Sequence, residues 1–307
     1  MSVDAFSPGP RTLATTGPLL DQSFLHKLET LSLPLRRPAH GQLKGAHRSR
    51  RVGSGMVFTD FRAYSPGDDI RNIDWGAYLR MDRLILKLFE EEADLPIYLF
   101  VDASRSMDYG APRKLDYARK LAAALCYVAL LSHDRVNLVS FADANPRALP
   151  ARRGKSQAPQ AFRFLESIQP GRQTGLHSAL RRFFGAPRTR GLVILISDFL
   201  DPDGIEPGFA LLRRFRHEVV LLHVVSPEER EPQLPEEVVL VDAEDGVASE
   251  LDLTPSLLTA YREAFRRHGQ EVEAYCRKYG WGYMQAPTDV PLEELTLKLL
   301  RQEGLLR

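Results

Sequence analysis

The sequence predicts an α/β chain: a doubly wound, mostly parallel sheet of Rossmann-like form with a small β-rich N-terminal insert. Three observations carry that prediction. After Asp94, short apolar runs alternate with stretches of helical period, as in strands joined by crossover helices. Two of the runs, Pro96–Val101 and Leu192–Ser197, are apolar at nearly every position, as strands buried on both faces are. Residues 53–93 instead combine strand-like alternation with strong turn signals.

Taken in order, residues 1–19 are rich in Pro, Gly, Ser and Thr and read as a disordered lead-in. Residues 21–33 space apolar side chains at helical intervals, and Pro34 is expected to end that helix. Residues 36–51 form a basic loop carrying Arg36, Arg37, Lys44, Arg48, Arg50 and Arg51. Residues 1–52 are therefore a flexible segment with one short helix, and 53–93 a compact β-rich segment. In the latter, Val57–Phe61 and Arg83–Phe89 read as strands around the turn Ser65-Pro66-Gly67-Asp68-Asp69. Its Asp68, Asp69, Arg71, Asp74 and Trp75 read as a salt-bridged turn locking the insert onto the main domain, Trp75 supplying buried area.

Residues 94–307 make the main domain. Strands are expected at Ile97–Val101, Val136–Phe141, Leu149–Arg152 (a short edge), Leu192–Ser197, Glu218–Val225 and near Gly282–Gln285. Helices are expected at Arg113–Ser132, 156–168, 175–185, Ile205–Arg216, 255–279 and from Pro291. A hairpin around Val238–Asp242 and Gly246 lies in the proline-rich stretch 226–253.

Composition excludes several function classes. With 44% hydrophobic and 26% charged residues the chain is an ordinary globular protein, and a net charge of +1 does not imply a polyanion partner. The basic loop 36–51 is the one stretch that would suit nucleic acid, but no aromatic residues interleave there for base stacking. Two cysteines, Cys126 and Cys276, lie far apart in helical patterns and read as reduced, buried thiols. The N-terminus lacks a basic region followed by an apolar core, and no run is long enough to span a bilayer, so the expected location is cytoplasmic.

The chemistry sits where two buried strands end. Asp102-Ala103-Ser104-Arg105-Ser106 follows Pro96–Val101, and Asp198 follows Leu192–Ser197. In the strand order 3-2-1-4-5-6 those strands are first and fourth, neighbours across the switch point where α/β sheets bind ligands. Thr174 starts the helix between them, after Gln169-Pro170-Gly171-Arg172-Gln173. Asp102, Ser104, Ser106, Thr174 and Asp198 thus bring hard oxygens to one crevice, a donor set that suits Mg2+ or another divalent cation. A structural alternative reads Asp-x-Ser-x-Ser as no more than a loop and helix N-cap.

These five residues resemble the metal-ion-dependent adhesion site of von Willebrand factor type A domains. The stretch from Asp60 to Trp75, DFRAYSPGDDIRNIDW, resembles the signature of the bacterial domain-of-unknown-function-58 family. The resemblance covers residues from about 50 onward and implies a von Willebrand A-like fold. It also implies that Ser104 and Ser106 hold the ion directly, Thr174 directly or through water, and Asp102 and Asp198 mainly through water. A partner protein's carboxylate would complete the octahedron, and a MoxR-type AAA+ ATPase would be a working partner in assembly or activation of other proteins. One departure stands out: the family often has an acidic residue after the threonine, where this chain has Gly175-Leu176.

Enzymatic signals fail. Arg153-Gly154-Lys155-Ser156 looks like the tail of a phosphate-binding loop, but the first glycine should fall at Leu149. A phosphoaspartate mechanism wants a second acid two residues after Asp102, where Ser104 stands. The histidines show no paired metal spacing, and no base lies near Ser104 or Ser106 in sequence. The expected function is a non-enzymatic, Mg2+-dependent protein-binding module. A metal-dependent hydrolase using the same ion is the alternative, and nucleic-acid binding through 36–51 a third reading.

Overall fold

The computed structural model describes residues 18–35, 56–65, 68–91, 96–142, 146–171, 175–186, 188–232, 237–241, 248–252 and 254–301. The elements begin with α1 (Gln22–Leu35), β1 (Met56–Ala63), α2 (Trp75–Met81), β2 (Ile85–Glu91), β3 (Pro96–Asp102) and α3 (Lys114–Leu131). They continue with β4 (Arg135–Phe141), β5 (Arg147–Arg152), α4 (Ala158–Glu166), α5 (Leu176–Phe183), β6 (Leu192–Ser197) and α6 (Glu206–Arg214). The rest are β7 (Glu218–Val225), α7 (Pro227–Arg230), β8 (Glu237–Val241), β9 (Ala248–Asp252), α8 (Pro255–Tyr279), β10 (Gly282–Pro287) and α9 (Leu292–Arg301). Two compact units result: residues 40–94, and residues 1–39 with 95–307.

The larger unit is built on one sheet of order β10-β7-β6-β3-β4-β5. Numbered along that unit's sheet, this is the expected 3-2-1-4-5-6 arrangement, doubly wound. All of its pairs are parallel except β4–β5. Every residue of β3 and β6 is buried, because helices cover both faces. Ile97, Leu99, Val101, Ile194 and Ile196 face a core shared with α1, α3, α4 and α9. Tyr98, Phe100, Val193 and Leu195 face the other core, shared with α5, α6 and α8. Period-2 alternation along two central strands thus feeds two apolar layers, each buried side chain contributing about 1.5–3 kcal/mol.

Local chemistry sets the edges. On β5 the pairing steps from Val136–Arg152 to Leu138–Leu149, so three residues of β5 match two of β4. Pro150, which has no N–H for a ladder, sits in that irregularity on an exposed edge. Helix α1 runs one residue beyond Pro34, contrary to expectation; a proline in the final turn removes only one hydrogen bond. The expected hairpin is the antiparallel pair β8–β9, with Val241 opposite Ala248; Gly246 lies outside the described residues, as do residues 1–17 and the basic loop 36–51. Cys126 and Cys276 are free and buried, and burial pushes both thiols up to about 12.

In the smaller unit β1 and β2 pair antiparallel, with a bulge between Phe58 and Asp60. The segment between them holds a short 3-10 turn and α2, neither legible in its alternation. Its acids serve mainly as backbone caps. Asp68 pairs with Arg62 at 2.8 Å and accepts from the Ser65 amide. Asp69 accepts from the Arg71 amide and Asp74 from the Ala77 amide, the latter capping α2. Trp75 corrects the expectation that it supplies buried area: it is 57% exposed, edge-on to Tyr78. Asp74 caps the helix that Trp75 opens, and a first-turn residue projects from the capped end.

Two predictions follow from the base of the sheet. A Cβ added at Gly191 would lie 2.0 Å from the Pro96 carbonyl oxygen, where β6 begins beside β3. Gly191→Ala should therefore destabilise by about 2–3 kcal/mol in urea unfolding, since backbone must shift. His217, buried beside Tyr98 and Phe184, accepts the Gly191 amide on Nδ1 at 3.1 Å. Burial holds its pKa below the ordinary 6.5. Its contribution is complete above about pH 6.5 and is lost as pH falls through the lower folded value, because the unfolded chain takes up the proton first. The urea midpoint should fall between pH 7.5 and 5.5, and fall less in His217→Asn.

Candidate metal centre

The two central strands run in register, Val101 opposite Ile196, so their ends arrive together. The next residues on the two strands, Asp102 and Ser197, are joined: the Ser197 hydroxyl donates to Asp102 Oδ2 at 2.5 Å. Ser197 Oγ in turn accepts the Phe199 amide at 2.8 Å. Phe199 has φ of +57°, a left-handed conformation that a bulky side chain seldom adopts. Burial of its ring against Phe209 and His223 holds that turn and directs Asp198 into the crevice.

On the β3 side, the Ala103 amide continues the ladder to Phe141, and the Ser104 amide donates to Asp102 Oδ1 at 2.8 Å. Ser104 precedes a 3-10 helix (Arg105–Met107) but its side chain makes no capping bond. That removes the plain N-cap explanation for this serine. Its buried hydroxyl lies 3.0 Å from that of Ser106. The nearby Ser104 hydroxyl favours the charged form of Asp102, and the Ser106 hydroxyl that of Asp198. Asp102, Ser104, Ser106 and Asp198 therefore gather their oxygens at the switch point.

Thr174 lies outside the described residues, but both flanks of its loop are tied to the same crevice. The Gly171 amide donates to the Ala103 carbonyl at 2.6 Å. The Leu176 amide donates to Asp201 Oδ2 at 3.1 Å, in the loop that Asp198 begins. Asp201 is thus a carboxylate beside Gly175-Leu176, where the family's usual acid is missing, and burial raises its pKa.

Three residues of the site were missed in the sequence. One is Ser197. Lys114 is the second: fully buried, it places Nζ 2.7 Å from Asp198 Oδ2 and also bonds Glu229 Oε1. Glu229 is the third, its other oxygen accepting the Ser226 amide at 3.0 Å in a capping box that starts α7. Lys114 was legible in principle, for it shares the stripe of Ala118, Leu121 and Leu125 at spacings four, seven and eleven. A lysine on an apolar stripe needs buried partners.

The electrostatics divide the two aspartates. Burial and then the charge of Asp198 push Asp102 up to about 7, against the Ser197 and Ser104 hydrogen bonds. Burial pushes Asp198 up as well, but the Lys114 ammonium outweighs it and holds Asp198 below the usual carboxylate range. Burial lowers Lys114, and Asp198 with Glu229 outweigh that and raise it. Among the described residues no lysine or arginine pairs with Asp102. A dry carboxylate without a counter-charge, beside two hydroxyls that bond each other, fits a small hard cation. Among the described residues there is no group of three or more His, Cys, Asp or Glu able to hold a metal.

This is the doubly wound α/β sheet expected from the sequence, with aspartates and hydroxyls at its switch point. The chain belongs to the family described as Protein of unknown function DUF58, whose model matches residues 60–272. It is 30% identical over 285 residues to uncharacterized proteins of Mycobacterium bovis and Mycobacterium tuberculosis, spanning 89% of this chain and 87% of each relative. Among solved structures it is similar to the conserved hypothetical protein BatB from Bacteroides thetaiotaomicron, at 19% identity and a TM-score of 0.41 over 67% of this chain and 98% of that one. It is also similar to the SpRpn10 VWA domain, at 9% identity and a TM-score of 0.39 over 66% and 93% of the two chains. No helix among the described residues is long and apolar enough to cross a membrane.

Ser197→Ala would orphan the buried Phe199 amide and withdraw a donor from Asp102. Urea unfolding at pH 8 should show a loss of about 1–3 kcal/mol, the cost of unsatisfied buried groups.

Proposed function

We propose that the chain is a non-enzymatic, divalent-cation-dependent protein-binding module. The observation that carries this reading is the cluster of buried Asp102, Ser104 and Asp198 with half-buried Ser106 at the ends of the two central strands. Ser104 and Ser106 would hold Mg2+ directly with Thr174, while Asp102 and Asp198 orient those hydroxyls and supply negative charge. The ion would supply an open position for a carboxylate from a partner protein. Among the described residues neither serine hydroxyl bonds a histidine or lysine, which supports binding over nucleophilic chemistry. His223, packed on Phe199 next to Asp198 in sequence, bonds Tyr283 through Nδ1 and is kept neutral, burial lowering it to about 4. The working partner we propose is a MoxR-type AAA+ ATPase, as the family resemblance implies, with ATP hydrolysis left to that partner.

Titration calorimetry with such an ATPase, purified from the same genome, tests the reading. Binding should be present in 5 mM Mg2+, a concentration of about the order that saturates weak Mg2+ sites, and absent in EDTA. The Asp102→Ala/Ser104→Ala protein should lose it at least tenfold, about 1.4 kcal/mol. Equal affinity of that variant and wild type in Mg2+ would sink the metal-bridged version.

A further inference from the structure

The proposed cation site already contains a cation of its own. Lys114 opens α3 with no exposed surface, and its ammonium reaches Asp198 Oδ2 at 2.7 Å. Glu229 holds it from the other side and is itself fixed by the capping box with Ser226. Tyr261 of α8 adds a further anchor by donating to the Glu229 carbonyl at 3.0 Å. The ammonium is therefore held between two carboxylates, from the loop after β6 and from α7, with no exposed surface.

Its position bears directly on metal binding. Asp198 Oδ1 accepts the Leu200 amide and Oδ2 accepts Lys114, so both oxygens are engaged before any ion arrives. Asp198 bears on the site through its charge and through the nearby Ser106 hydroxyl. A fixed positive charge on Asp198 also opposes a second one beside it, strongly so in a dry site. Fixed ammonium and mobile ion thus compete for the same negative charge.

We infer that Lys114 is the residue that sets cation affinity at this centre, a tethered counter-cation on Asp198 that keeps divalent-ion binding weak and dependent on the partner's carboxylate. This rests on the cation-site reading of Asp102, Ser104 and Ser106. It gives that reading a direction: the isolated protein binds metal poorly, and a partner's negative charge supplies what Lys114 has cancelled. Lys114 is a positioning residue, touching Asp198 and not the ion.

The test is calorimetric titration of Mg2+ and Mn2+ into the full chain, wild type, Lys114→Met, Lys114→Gln and Glu229→Gln, without partner. Methionine keeps the buried stem and glutamine keeps a donor, while both remove the charge. Either should bind at least about tenfold more tightly than wild type, since one unit charge beside a dication is worth that or more. Glu229→Gln, which leaves the ammonium on Asp198 alone, should bind more weakly than wild type. Where a Lys114 variant is unfolded by circular dichroism in EDTA, millimolar Mg2+ should restore its fold, a rescue that a purely structural lysine would not show. Wild-type binding with equal or weaker binding by both Lys114 variants, or no rescue, overturns the inference and leaves the cation site standing. No binding by any of the four proteins overturns both.

Discussion

Two like charges brought to one dry place is the constraint on which this structure turns. The adjacent strands β3 and β6 carry apolar residues as far as their ends and deliver Asp102 and Asp198 beyond them, both essentially without exposed surface. Water cannot solvate either carboxylate, so the protein must do so. Every unusual feature nearby answers that need: the Ser197 hydroxyl, the Ser104 amide, the left-handed Phe199, and a lysine sunk into the start of the central helix.

The compensation is unequal. Asp198 receives a full positive charge, whereas Asp102 receives only dipoles. A centre balanced throughout would be inert, and a centre with neither aspartate balanced would not fold well. One carboxylate is left without a counter-charge beside two small hydroxyls, and the cation-site proposal rests on that imbalance. Glu229 extends the arrangement to the turn after β7, so four elements share one electrostatic problem.

Most of the architecture could be read from the chain before its structure was known. Continuous apolar runs announced the central strands, and the boundaries of β6, β7 and α8 fell where alternation and turn residues put them. The β-strand order followed from the alternation of strand and helix together with one short charged edge. What could not be read has physical reasons. Helix α2 is only seven residues, set by Asp74 capping rather than by periodicity, and Trp75 is aromatic without being buried. Of the site, Asp102, Ser104, Ser106 and Asp198 were legible because they are polar just where apolar strands stop. Lys114 was legible only as a lysine on an apolar stripe in need of a partner, and Glu229, among other charges in Ser226–Glu231, gave no sign of being that partner; Thr174 falls outside the described residues.

The Lys114 network also has a history within each molecule. Lys114 is 84 residues from Asp198 and 115 from Glu229, whereas its own helix is stitched by near neighbours. Long loops must close before such pairs can meet, so helical segments come early and these ion pairs late. On a ribosome, β3 and α3 emerge while Asp198 and Glu229 are still unmade, and for that interval the ammonium has no buried partner. Loop-closure entropy thus places completion of the Lys114 network after the docking of β6 and β7.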